Sequence, residues 1–135
     1  MSAAMARPRG PQLTQTPEYL RAEFGHGSAS DIGELYQAVA VTCIQHQVLR
    51  VLIIAGDDDA SGEGALRAAV TRIVLAGISA GFRLALVVSS PRMAYAYRNT
   101  GRDLNAAEIR TRLFDNEDEA LRWLDVADKV RRRAA

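Results

Sequence analysis

The stretch Leu49-Arg50-Val51-Leu52-Ile53-Ile54-Ala55 decides the fold class. It is a nearly continuous apolar run rich in β-branched residues, bounded by Gln47 and Gly56. Such a run suits a strand with both of its faces covered, as in the middle of a parallel sheet. Phe82–Ser89 repeats the pattern downstream and gives a second buried strand.

Working outward, the segments between and around these strands read as helices. Upstream, Tyr19–Phe24 alternates, with Leu20, Ala22 and Phe24 on one face and Arg21 and Glu23 on the other, the period of a half-buried strand. A short edge strand is expected before it, around Pro11–Thr14. Asp31 followed by Glu34 has capping-box spacing, with Ser30 as the rival N-cap, and Ile32, Leu35, Tyr36, Val39, Cys43 and Ile44 form one apolar stripe. A second helix is expected from Gly62 to Ala80, with Leu66, Ala69, Val70 and Ile73 inward and Gly81 as its C-terminal cap.

Ser90-Pro91 supplies an N-cap and an N1 proline for a third helix containing Met93, Ala94 and Tyr97, which Asn99-Thr100-Gly101 should stop. Ile109, Thr111 and Leu113 alternate in a last strand ending near Phe114. Asp115 or Asn116 then caps a fourth helix with Ala120, Leu121, Trp123 and Leu124 inward. Alternation of strands and helices predicts an α/β fold with a mixed sheet of four or five strands, right-handed crossovers and about four helices packed on it. The expected organisation is a flexible tail over residues 1–10, one domain over 11–130 and a basic tail over 131–135.

Composition bounds the function. The chain has 135 residues, 48% apolar and 24% charged, which is ordinary globular composition. With 17 basic and 16 acidic residues it carries no global field that would draw in nucleic acid or an anionic membrane. The opening MSAAMARPRG lacks the apolar core of a signal peptide, and no apolar run is long enough for a membrane span. Cys43 is the single cysteine, so an internal disulfide and a thiolate metal cluster are excluded. These features predict a cytoplasmic protein that needs no cofactor.

Two stretches carry a resemblance to a known family. Residues 82–124 run from a strand RLALVVSS through a short helix to IRTRLFDNEDEALRWL, and Asp59-Ala60-Ser61-Gly62-Glu63-Gly64-Ala65-Leu66 forms a serine loop ahead of a helix. The ending resembles the SpoIIAA-like proteins of the STAS superfamily. The loop is similar to the D-S-S-G-L-G-A-L motif of anti-sigma-factor antagonists, whose second serine is a kinase target. Here Ala60 stands at the first serine and Glu63 at an apolar position.

The resemblance implies a STAS-like regulatory module that docks to a protein partner, a kinase or an anti-sigma-type factor, with Ser61 as a phosphorylation switch. The docking surface would comprise Asp57, Asp58, Asp59, Ser61, Gly62, Glu63, Gly64 and the second helix. The rival expectation is a carrier of a small apolar or anionic ligand, with a pocket between the second and third helices and the sheet. A homodimer is compatible with either.

Each of these residues also has a plainer role. The three aspartates diverge along the chain and lack a phosphate-binding lysine or glycine loop, so acids solvated beside a helix N-terminus suffice for them and no metal site is expected. Ser61 is well placed as an N-cap worth about 1 kcal/mol. His26 and His46 have no acid or nucleophile at a spacing that would make either a general base, and no nucleophile–histidine–acid set exists, so catalysis is not expected. Tyr95 and Tyr97 should split, one buried and one exposed. Trp123 is expected in the core, where truncation to alanine would cost about 3–5 kcal/mol at full burial.

Overall fold

The computed structural model describes residues 12–24, 29–55, 62–88, 90–107 and 109–124. The elements run β1 (Gln12–Gln15), β2 (Leu20–Glu23), α1 (Ala29–His46), β3 (Arg50–Ile54), α2 (Gly62–Leu75), β4 (Arg83–Val87), α3 (Pro91–Ala106), β5 (Arg110–Phe114) and α4 (Glu117–Trp123). All five strands form one mixed sheet in the order β1-β2-β3-β4-β5. This is the α/β class, with the strand and helix numbers, that the apolar runs predict.

β1 and β2 are antiparallel, and the turn between them is closed by the Thr16 hydroxyl. It donates to the Tyr19 carbonyl at 2.9 Å and accepts from the Tyr19 amide at 3.0 Å. From β2 onward every pair is parallel, so each step needs a crossover. The strands advance in one direction, and right-handed crossovers then place all three connecting helices on the same face.

The core has that form. Leu20, Ala22, Val51, Ile53, Leu84 and Leu86 meet the inner stripes of α1, α2 and α3. The opposite face presents Leu52, Ala85 and Val87 to Ala120 of α4 and to Leu124, which caps its end. β3 therefore has cover on both sides, with Val51, Leu52 and Ile53 all fully buried.

α4 has only seven residues, and three arginines on the strands beneath it fasten its two ends. Arg50 Nε donates to the Leu124 carbonyl at 3.1 Å and Arg83 Nη1 to the Trp123 carbonyl at 2.8 Å, meeting the negative end of the helix. Arg21 holds Glu117 in the first turn through contacts of 2.9 and 3.2 Å. The register sets Arg50, Arg83 and Arg110 side by side across three strands. Like charges so placed repel, and the helix carbonyls offset this for the first two.

Four local expectations are corrected. α1 begins at Ala29, so Asp31 lies in its first turn and is not the N-cap. α2 ends at Leu75, not Ala80. Gly77, at φ 78°, takes the left-handed position that closes the helix, and Gly81 serves the turn before β4. α3 runs through Asn99-Thr100-Gly101 to Ala106. Thr100 and Gly101 are buried there, and a Cβ at Gly101 would stand 3.3 Å from Leu113 Cδ1, so close packing on β5 overrides the weak helix propensity. Trp123 is half-buried, with its ring 5.7 Å from that of Phe114 and the Arg83 guanidinium over it. The full-burial cost therefore does not apply to it.

Other expectations hold. Ser90 caps α3 with Pro91 behind it, Asn116 caps α4, Tyr97 is buried, and Tyr95 is 70% exposed.

Two helix ends make a paired test. Gln47 closes α1 at φ 53°, a region that favours glycine, as Gly77 does for α2. Gln47→Gly should raise stability, and Gly77→Ala should lower it, each by about 1 kcal/mol in urea denaturation. Equal signs for the two changes would contradict the assignment of these ends.

Candidate functional site

The expected docking surface begins where β3 hands over to α2. Ala55 extends the β3–β4 ladder by donating to the Val87 carbonyl at 3.0 Å. Asp57, Asp58, Asp59 and Ser61 lie outside the described residues, so their expected roles stay with the sequence. Gly62 and Glu63 form the backbone of the first turn of α2, and Gly64 follows, exposed, with open space where a side chain would sit.

Beside Gly64, α1 and α2 approach closely because Gly33, Ala65 and Ala68 are small. The result is a shallow groove of about 570 Å³ lined by these residues with Glu34 and Gln37. Further along, Arg72 Nη1 donates to Gln37 Oε1 at 3.3 Å and ties the two helices.

The other side of α2 faces α3. Val70, Thr71, Val74, Leu75, Leu104 and Ala107 line a largely apolar groove of about 280 Å³. Leu75 is 81% exposed and Val74 36%, an unusual pair on a helix whose other large apolar residues are buried. One end of the groove is closed by Arg67, which pairs with Asp103 at 2.7 Å and also donates to Thr100 Oγ1 at 3.4 Å. Both residues of the pair are well exposed, so it adds at most about 1 kcal/mol and acts mainly as a spacer.

A third groove was not foreseen. After β4 the chain turns to α3 on one face, and after β5 it turns to α4 on the other. The connections diverge between the carboxyl ends of these strands, the position where open α/β sheets form crevices. Val88, Ala94, Arg112, Leu113, Phe114, Asp115 and Glu119 line about 360 Å³ there. No sequence motif signals it, because it exists only once α3 and α4 are assigned to opposite faces.

Two buried titratable groups are held in their protonated forms. Burial pushes the Cys43 thiol up to about 12, so it stays protonated at neutral pH. Burial also raises Tyr36 well above the usual phenol, helped by Tyr97, whose hydroxyl lies 3.5 Å away. The hydrogen bond to Glu117 raises Arg21 above its ordinary value. His46 is exposed at the end of α1, and His26 lies outside the described residues. Among the described residues no group of three or more His, Cys, Asp or Glu could hold a metal ion, and no helix is long and apolar enough to cross a membrane.

No protein-family model matches the chain, and no curated protein matches it.

The raised thiol and phenol predict a pH dependence. Both groups release their protons in the unfolded chain before the folded one, so stability is complete at neutral pH and declines as pH rises above about 9 towards 12. Urea midpoints measured from pH 7 to 11 should fall above pH 9, and Cys43→Ala should make the decline shallower. A slope that Cys43→Ala leaves unchanged would show that the thiol ionises freely in the fold.

Proposed function

We propose that this chain is a STAS-like, non-catalytic regulatory module that docks to a protein partner through the loop at residues 57–64 and the exposed face of α2. The observation that carries the reading is the apolar pair Val74 and Leu75, left in solvent on the helix that starts at this loop. An exposed apolar strip bordered by charged residues, here Arg67, Arg72 and Asp103, is the usual composition of a protein-binding face. The STAS-like part of the reading rests on the sequence resemblance of the serine loop and of the Phe114–Leu124 ending.

Within this reading Ser61 is the switch. A phosphate there sits ahead of α2, favoured by the helix end but opposed by Asp57, Asp58, Asp59 and Glu63. The added charge weakens docking to an acidic partner surface, the property expected of a module controlled by a kinase. The carrier alternative draws less support, because the groove between α2 and α3, where its pocket was expected, is open to solvent.

The test is reconstituted binding. A protein captured on the immobilised chain is purified and titrated calorimetrically against wild type, Gly64→Arg, Leu75→Glu and Ser61→Asp. Gly64 and Leu75 are exposed, so both surface changes should preserve the fold. Each should weaken binding by about tenfold or more. Ser61→Asp should also weaken it, whereas a plain helix cap would leave binding unchanged. Affinity indifferent to both Gly64→Arg and Leu75→Glu would overturn the docking surface.

A further inference from the structure

The sheet ends at β5, and an edge strand presents N–H and C=O groups that invite pairing with another chain. In β5 the outward-facing positions alternate with those bonded to β4, and the outward groups of Thr111 are met from within the molecule. The Thr111 amide donates to Asn105 Oδ1 at 2.9 Å, and the Thr111 carbonyl accepts from Asn105 Nδ2 at 2.9 Å. One carboxamide, projecting from the end of α3, therefore makes both hydrogen bonds that a residue of a sixth strand would make.

The same Nδ2 also donates to the Gly101 carbonyl at 2.9 Å, which fixes the plane of the amide. Just ahead of the strand, the Ile109 amide donates to the Leu104 carbonyl and the Ile109 carbonyl accepts from Thr111 Oγ1, each at 2.9 Å. Among the outward positions of β5, only Leu113 has no such partner among the described residues.

Charge adds a second barrier. Arg110 and Arg112 flank Thr111 and are exposed. Antiparallel pairing of two β5 strands about Thr111 would set Arg110 of each copy against Arg112 of the other, an unfavourable juxtaposition.

We infer that Asn105 is an edge lock, which with Arg110 and Arg112 keeps a second copy of this chain from joining the sheet through β5. The lock is local, and it leaves the docking surface on α2 untouched. Asparagine suits it because a carboxamide carries donor and acceptor together, whereas aspartate would lose the bond to the Thr111 carbonyl.

Amide hydrogen exchange on the wild type is the first test. Thr111 should exchange at least about tenfold more slowly than Leu113 although both lie on the sheet edge. Comparable rates would overturn the lock without any variant being made. The second test compares molar mass by light scattering for wild type, Asn105→Ala and the triple variant Asn105→Ala/Arg110→Thr/Arg112→Thr, each checked for cooperative unfolding.

Concentrating the triple variant should double its mass relative to wild type and slow exchange at Leu113. Asn105→Ala should associate more as salt rises towards 1 M, because salt screens the arginines at a Debye length of about 3 Å. If Asn105 only stabilises the α3–β5 connection, both variants lose stability with unchanged mass, and that result contradicts the proposal. Association without new protection at Leu113 contradicts it equally.

Discussion

β3 sets the terms for the rest of the molecule. It is hydrogen-bonded along both edges, to β2 and β4, and Val51, Leu52 and Ile53 bury side chains on both of its faces. A strand of this kind is unfavourable in water unless both faces are covered. One face is covered by the three crossover helices, which chain chirality assigns to a single side. The other is left to α4, too short to hold by its own helicity and so fastened by Arg21, Arg50 and Arg83. Arg50 and Arg83 cap its last carbonyls, and Arg21 pairs with Glu117 in its first turn.

Much of this was legible in the sequence. Runs such as Leu49–Ala55 and Phe82–Ser89 announce buried strands because burial on two faces removes polar alternation, and Ser90-Pro91 and Asn116 announce helix starts because capping is local chemistry. The misread ends of α2 and α3 have the opposite cause. Gly77 and Gly81 both adopt left-handed backbone, so local sequence alone gives no preference between them. Asn99-Thr100-Gly101 has the composition of a stop, yet Thr100 is buried and Gly101 packs on β5, and tertiary packing keeps the helix going. Trp123 sits on an inward position of a helix too short to cover it fully.

The candidate site divides in the same way. Local signals named the loop between β3 and α2, and the fold carries the start of α2 to the carboxyl end of the sheet beside α1. What the sequence could not reveal were features made by two distant elements. The exposed strip at Val74 and Leu75 borders the groove between α2 and α3, and the crevice between β4 and β5 depends on the faces taken by α3 and α4. The Asn105 contact with Thr111 joins residues only six apart, but its meaning follows from β5 being the last strand.

The start and outer face of α2, carried on a sheet covered on both faces, form the proposed docking surface. Hydrogen exchange of the chain with and without its reconstituted partner tests this most directly. The account predicts new protection confined to residues 57–75, with β3 and β4 equally slow in both states. Protection centred on α4, on β5 or on the crevice between β4 and β5, with α2 unchanged, would contradict it.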